Sequence, residues 1–211
     1  EKSVVFTGAI GEAFDRQVES AIFSADSKTL YLTAEDGGRT PVFAVPAASG
    51  PVTKPVGDAG TLGGLALARD GRTIGAAQTT LTHPAEIVRF GTDGKGLTRV
   101  TRVNDGRLAG FALRPGESVS YAGAAQKSVQ AWVVRPPDFD PAKKHPLLVL
   151  IHGGPQGSWA DGWSFRWNAQ LFASAGYVVF MPNPRGSTGW GQAFTDDING
   201  DWGGRAYEVV M

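Results

Sequence analysis

A stretch of this chain repeats itself 44 positions later, and that spacing limits the fold more than any other feature. Phe23-Ser-Ala-Asp26-Ser-Lys-Thr29-Leu30 aligns with Leu67-Ala-Arg-Asp70-Gly-Arg-Thr73-Ile74. The same offset sets Val42–Val45 against Glu86–Arg89 and Ser49-Gly50 against Asp93-Gly94, a period suited to the four-stranded blades of a propeller. A third, partial copy follows at Phe111–Val119. Asp26-Ser27 and Asp70-Gly71 supply tight turns, because Asp, Ser and Gly tolerate or locally hydrogen-bond the backbone such turns need. From Ala21 to Ala125, short β-compatible runs alternate with turn signals and no helical period intervenes. Each unit is expected to be a small antiparallel sheet, with a β-sandwich of similar strands as the alternative. About two and a half blades cannot close a ring of typically four to eight. Residues 1–126 are therefore expected to form part of a larger β-propeller.

The rhythm changes near Val129, which places a domain boundary at about residue 126. Gln130–Arg135 reads as a strand and Pro136–Pro146 as a proline-stiffened connection. Leu147–Ile151 reads as a strand buried on both faces. Phe165–Ala175 places Phe165, Ala169 and Phe172 on one helical face, with Gly176 fit for the C-terminal cap. Tyr177–Met181 is the next strand. Strand, helix and strand with short connections make a βαβ unit with a right-handed crossover and a parallel sheet. Arg205–Met211 looks like the opening of a further helix.

Composition excludes several classes. Lys and Arg together number 20, as do Asp and Glu, so no net field draws the chain to nucleic acid or an anionic membrane. There is no cysteine, hence no disulfide, thiol nucleophile or Cys-based zinc site, although this leaves the compartment open between cytoplasm and periplasm. The longest apolar runs are strand-sized, too short to span a membrane. No paired histidines or Asp-rich loop suggest a metal, and Gly186-Ser-Thr-Gly189 lacks the lysine and spacing of a phosphate-binding loop.

The chemistry concentrates in Leu147–Trp163, where an apolar strand opens into His152-Gly153-Gly154-Pro155. Two glycines let the backbone turn sharply and present a bare N–H to a ligand oxygen, and Pro155 stiffens the exit. A donor aimed at a developing oxyanion contributes about 3–4 kcal/mol of transition-state stabilisation.

His152–Pro155, the run NPRGSTGWG at Asn183–Gly191 and GDWGG at Gly200–Gly204 together resemble the prolyl oligopeptidase family of serine peptidases, in particular its acylaminoacyl-peptidase and dipeptidyl-peptidase branches. The resemblance implies a β-propeller followed, over residues 127–211, by the N-terminal part of an α/β-hydrolase domain. It implies that Gly154, with Gly153 beside it, gives one oxyanion-hole donor. Arg185, Trp159, Trp163 and Trp190 are candidates for the substrate pocket. A structural guanidinium is the alternative for Arg185, and core packing for the tryptophans.

Such a hydrolase carries its nucleophile as G-x-S-x-G on a strand-to-helix turn, followed along the chain by Asp and then His. None of this is present. Ser158 and Ser187 lack the pattern, and His83, His145 and His152 all precede any suitable nucleophile. The catalytic Ser, Asp and His are expected beyond Met211, the open edge at Leu147–Ile151 being an aggregation hazard unless the remainder of the same peptidase covers it, covalently or as a nicked fragment. The expected function is part of a serine peptidase that hydrolyses short peptides through an acyl-enzyme without a cofactor, this chain alone being inactive. An esterase or lipase, or a non-catalytic propeller scaffold, are the alternatives.

Overall fold

The computed structural model describes residues 14–210 apart from Ser49 and Pro155, so Ser49, Pro155 and Met211, each invoked above, lie outside the described residues. The first repeat folds as β1 (Val18–Phe23), β2 (Thr29–Ala34), β3 (Val42–Pro46) and β4 (Thr53–Val56), an antiparallel meander in that order. The second folds identically as β5 (Thr61–Leu67), β6 (Thr73–Thr80), β7 (His83–Gly91) and β8 (Thr98–Arg99). The repeated aspartates do the same work in both. Asp26 Oδ1 accepts from Lys28 N–H at 3.1 Å, and Asp70 Oδ1 from Arg72 and Thr73 N–H at 2.8 and 2.9 Å. The hydroxyl of Ser24 at Asp26, and the Arg72 amide at Asp70, lead the hydrogen bonds that hold both carboxyls below the usual range. The next residue turns left-handed in each copy, Ser27 at φ 58° and Gly71 at φ 66°.

Alternation along the strands divides the apolar residues between two layers. Tyr31, Val42 and Val56 pack with Leu62, Ile74, Val88 and Phe90, so the two sheets meet face to face. Leu30, Leu32, Phe43 and Val45 point away, into a second cluster that Phe14 covers.

The third partial copy departs from the pattern. Phe111–Gly116 is irregular and Phe111 is exposed, lacking the core role of its counterparts. The strand that follows, β9 (Glu117–Ala122), pairs antiparallel with β10 (Ser128–Val134), because a five-residue connection favours a local hairpin over a return to the preceding sheet. The division expected at 126 thus cuts this hairpin, and the third sheet begins at Glu117.

The βαβ unit forms as expected: β11 (Leu147–Val149), α2 (Ala169–Ser174) and β12 (Val178–Asn183), with Leu147 opposite Val178 in parallel register. The sheet around it is mixed rather than parallel, in the order β11-β12-β10-β9, because β10 runs antiparallel to β12. β11 is shorter than expected and lies at the edge; Leu147 and Ile151 are 61% and 60% exposed, so the strand is not buried on both faces. The helix also starts late. Asn168 Oδ1 caps it by accepting from Gln170 N–H at 2.9 Å, while Ser164 Oγ accepts from Trp167 N–H at 2.9 Å in a turn that leaves Phe165 outside the helix and 87% exposed.

Ala169 and Ala173 of α2 pack on Trp132, Val134, Val179 and Met181. Phe180 faces the other way, its ring 5.7 Å from that of Tyr121, whose hydroxyl donates to Val209 O at 3.2 Å in α4 (Arg205–Val210). Helices α2 and α4 therefore sit on opposite faces. The short helices α1 (Asp105–Leu108) and α3 (Gln192–Asp196) complete the regular structure, and no helix among the described residues is long and apolar enough to cross a membrane.

Glu86 is a buried acid on β7 whose carboxylate organises the following loop. Oε1 accepts from Asn104 N–H and Nδ2 at 2.9 Å each, and Oε2 accepts from the Thr101 hydroxyl. Burial alone would raise its pKa, but these bonds and one from the Val103 amide outweigh burial and bring it down to about 2. The folded value lies below the ordinary 4.5, so the ionised carboxylate stabilises the fold above that pH, and the contribution fades as pH falls toward 2. In the full-length protein, Glu86→Gln is expected to lower the urea midpoint at neutral pH and flatten its decline between pH 4.5 and about 2, measured by fluorescence.

Candidate active site

Beyond β11 the chain enters a glycine-rich loop that crosses the end of the third sheet. Leu150 keeps one strand-like bond, its N–H donating to Phe180 O at 2.9 Å. His152 Nε2 lies 2.9 Å from Ser187 Oγ, and Ser187 Oγ lies 2.6 Å from Pro184 O. A carbonyl only accepts, so the serine hydroxyl donates to Pro184, while the His152 ring stands between Ser187 Oγ at Nε2 and Gly153 O, 3.0 Å from Nδ1. Ser187 is fully buried and its proton is committed, which makes this pair a brace for the loop.

Gly154 adopts φ 141°, and a Cβ there would lie 2.7 Å from Gln156 O, so only glycine follows this path without strain. Gly153 has no such restriction, since a Cβ would meet nothing within 4 Å. Among the described residues, no acceptor engages the backbone N–H of either glycine. Gly153 borders a cleft of about 290 Å³ that Leu150, Ile151, His152, Trp159 and Trp167 also line, and Gly154 follows it in the chain.

Of the expected pocket residues, the structure brings only Trp159 to this cleft. Trp163 lines a separate apolar groove with Phe111, Pro137 and Leu171, and its ring lies 6.1 Å from Phe165. Trp190 packs 5.9 Å from Phe194. Arg185, 2% exposed, donates to Ala124 O at 2.8 Å and Asp197 Oδ2 at 3.2 Å, so it fastens the loop after β12 to the β9–β10 turn. Lys127 also binds Asp197 and is the chief cause of that carboxyl's lowered pKa, with the charges of Arg185 and Arg205 adding to it.

Two contributors were not among the expected site residues, although Asn183 opens the Asn183–Gly191 run. Trp167, placed by the Ser164 turn, walls the cleft. Asn183, the last residue of β12, is fully buried against the loop backbone. A polar side chain at the buried phase of an apolar strand was the available signal for Asn183.

The loop is also tied to both preceding sheets. Asp161 N–H donates to Gly38 O at 2.8 Å, Asp161 O accepts from Thr61 Oγ1 at 3.1 Å, and Asp161 Oδ1 accepts from Leu81 N–H at 2.8 Å. Elsewhere, the ligand atoms of His83, Glu86 and Asp105 lie within 4.8 Å of one another. Arg99 fills the cation's place there, 2.8 Å from His83 Nε2 and 2.7 Å from Asp105 Oδ2, so the cluster does not fit a metal.

Comparison with solved structures shows the class of fold. The chain superposes on the Pyrococcus horikoshii acylaminoacyl peptidase with TM-score 0.78 at 22% identity, covering 93% of this chain and 30% of that one. It superposes on dipeptidyl peptidase 4 of Porphyromonas gingivalis with TM-score 0.65 at 25% identity, covering 87% and 27%. The sequence goes further: residues 163–211 match the prolyl oligopeptidase family, and 206 residues are 39% identical to dipeptidyl-peptidase 5 of Trichophyton schoenleinii, covering 96% of this chain. The chain thus resembles members of the prolyl oligopeptidase family over nearly its whole length, and it spans 28% of the length of that relative.

If Arg185 is a structural tie, Arg185→Met in the full-length protein should cost about 1–3 kcal/mol in unfolding free energy, the range for losing charge-assisted hydrogen bonds. A urea melt checks this.

Proposed function

We propose that this chain is part of a serine peptidase that cleaves short peptides through an acyl-enzyme. In this reading the two meanders are blades of a propeller and the sheet from Glu117 onward is the N-terminal part of the α/β-hydrolase domain. The Gly154 N–H, with Gly153 adjacent, is one donor to the tetrahedral oxyanion. The Ser, Asp and His of the triad belong to the rest of the full-length protein. The observation that carries the reading is the N–H of Gly154, which engages no acceptor among the described residues and lies at φ 141° in the loop that follows the parallel strand β11. Support for a peptide substrate comes from relatives named dipeptidyl-peptidase 5 and neighbours named acylaminoacyl peptidase.

The chemistry asks little of this segment beyond position. When a serine attacks a peptide carbonyl, the oxygen gains a charge, and a preorganised N–H lowers the barrier because it need not reorient. Leu150, Ile151, Trp159 and Trp167 give the cleft beside the loop an apolar lining.

The full-length protein should react with a fluorophosphonate and release p-nitroaniline from dipeptide p-nitroanilides, whereas this chain alone should do neither. Gly154→Ala, which strains the loop and moves its N–H, should lower kcat by about 10²–10³-fold. Turnover of simple esters with none of the amide would instead indicate an esterase, and no labelling of the full-length protein would refute the proposal.

A further inference from the structure

We propose that Asn183 is a positioning residue for the Gly153-Gly154 loop, an inference that rests on the oxyanion reading above. Asn183 closes β12 at the point where the chain leaves the sheet, and its side chain is wholly buried. A buried amide needs partners for two donors and an acceptor. It finds them chiefly on one residue of the loop: Oδ1 accepts from Trp159 N–H at 2.6 Å, and Nδ2 donates to Trp159 O at 2.9 Å. A main-chain N–H only donates and a carbonyl only accepts, so this contact fixes which way the amide faces. The remaining Nδ2 proton goes to Gln130 Oε1 at 2.6 Å, and Gln130 Nε2 donates in turn to Ser118 Oγ at 3.0 Å.

The side chain thus does for Trp159 what a neighbouring strand would do, making both backbone bonds of a paired residue. Trp132 Nε1 adds a second donor to Trp159 O at 3.1 Å. Trp159 passes the restraint on, since its indole N–H donates to Leu150 O at 2.8 Å. Leu150 stands two residues before His152. The Leu150 end, which also bonds Phe180 O, and the Trp159 end of the loop are thus joined through one tryptophan, whose backbone N–H and carbonyl are both engaged by one asparagine.

Between the fastened ends lie Gly153, Gly154 and Gly157, which offer the backbone little resistance of their own. Two further points are restrained by the loop after β12, through the His152–Ser187 bond and through Thr188 N–H donating to Gly157 O at 3.0 Å, and the Trp159 end of the segment is set by Asn183. Without the Asn183 amide the Gly154 N–H would remain present but poorly aimed. A misplacement of about 1 Å can cost about 100-fold in rate.

The test uses the full-length protein. Asn183→Asp keeps the volume and the acceptor for Trp159 N–H but removes both Nδ2 donations. Trp159→Phe keeps an aromatic ring in the cleft wall and the backbone bonds to Asn183, and removes the bond to Leu150 O together with part of the indole surface. With a dipeptide p-nitroanilide, and sites counted by the end-point of fluorophosphonate labelling, Asn183→Asp should lower kcat per site by about 10–100-fold with KM within about twofold. Trp159→Phe should shift kcat in the same direction by less. Unchanged kcat per site with fewer labelled sites would show a purely structural role and overturn the inference. If Asn183→Asp yields no labelled sites, Trp159→Phe decides, and an unchanged kcat overturns the inference. An unsubstituted protein that neither labels nor turns over would overturn the peptidase reading itself, whereas an active one with unchanged variants overturns only the role of Asn183.

Discussion

Everything near the candidate site depends on the hydrogen bonds of Asp161, because this one residue is bonded to strands or connections of both meanders while its neighbour Trp159 is bonded to the third sheet. Its N–H reaches Gly38, its carbonyl Thr61 and its carboxylate the Leu81 amide. Trp159, two positions earlier, is held by Asn183 and Trp132. The loop is thus bonded to all three sheets, the first two of which also share a core. Its shape is set by the way those sheets meet, and a glycine-rich segment with little preference of its own acquires one conformation. Such restraint from outside suits a donor that must be aimed before the reaction begins.

The glycines of Asn183–Gly191 have a related explanation. A Cβ at Gly186 would lie 2.8 Å from Ile198, one at Gly191 2.3 Å from Asp15 Oδ2, and one at Gly189 3.4 Å from the Asp36 amide. Gly37 N–H donates to Gly189 O at 3.0 Å, and Gln192 N–H to Asp15 Oδ1 at 2.8 Å. Much of this run therefore lets backbone approach backbone between the first meander and the loop after β12. Arg185 belongs to the same purpose, fastening the run from below. The motif describes how parts of the chain dock, and its Asn183 and Ser187 also brace the loop of the candidate site.

Against that background, the parts of the fold legible in the sequence are those governed by local chemistry. Asp26 and Asp70 announced the same turn because each carboxylate binds amides two or three residues on, and the meanders followed. The third copy misled for the same reason. Similarity around Phe111–Val119 speaks of a turn and a strand, whereas the partner of that strand is decided by the short connection to β10. Leu147–Ile151 is apolar enough to be buried, yet neighbours in space decide burial, and β11 has only β12 beside it. Phe165 fits the helical period but is displaced by the Ser164 turn and the Asn168 cap. In the site, Gly154 was readable because its backbone demand is local. Trp163, Trp190 and Arg185 were not, since their destinations depend on tertiary packing, and Asn183 went unread because its partners lie 24 and 53 residues away.

The placement of α2 and α4 on opposite faces of the mixed sheet has a consequence in chirality. The α2 crossover moves the chain from β11 to β12 along one face. A right-handed crossover on the other face must travel in the reverse direction, because viewing the sheet from behind exchanges left and right. A connection through α4 therefore carries the chain back past β12, toward the side where Leu147 and Ile151 stand exposed. Handedness, with no appeal to side-chain recognition, directs strand addition to the edge beside the Gly153-Gly154 loop.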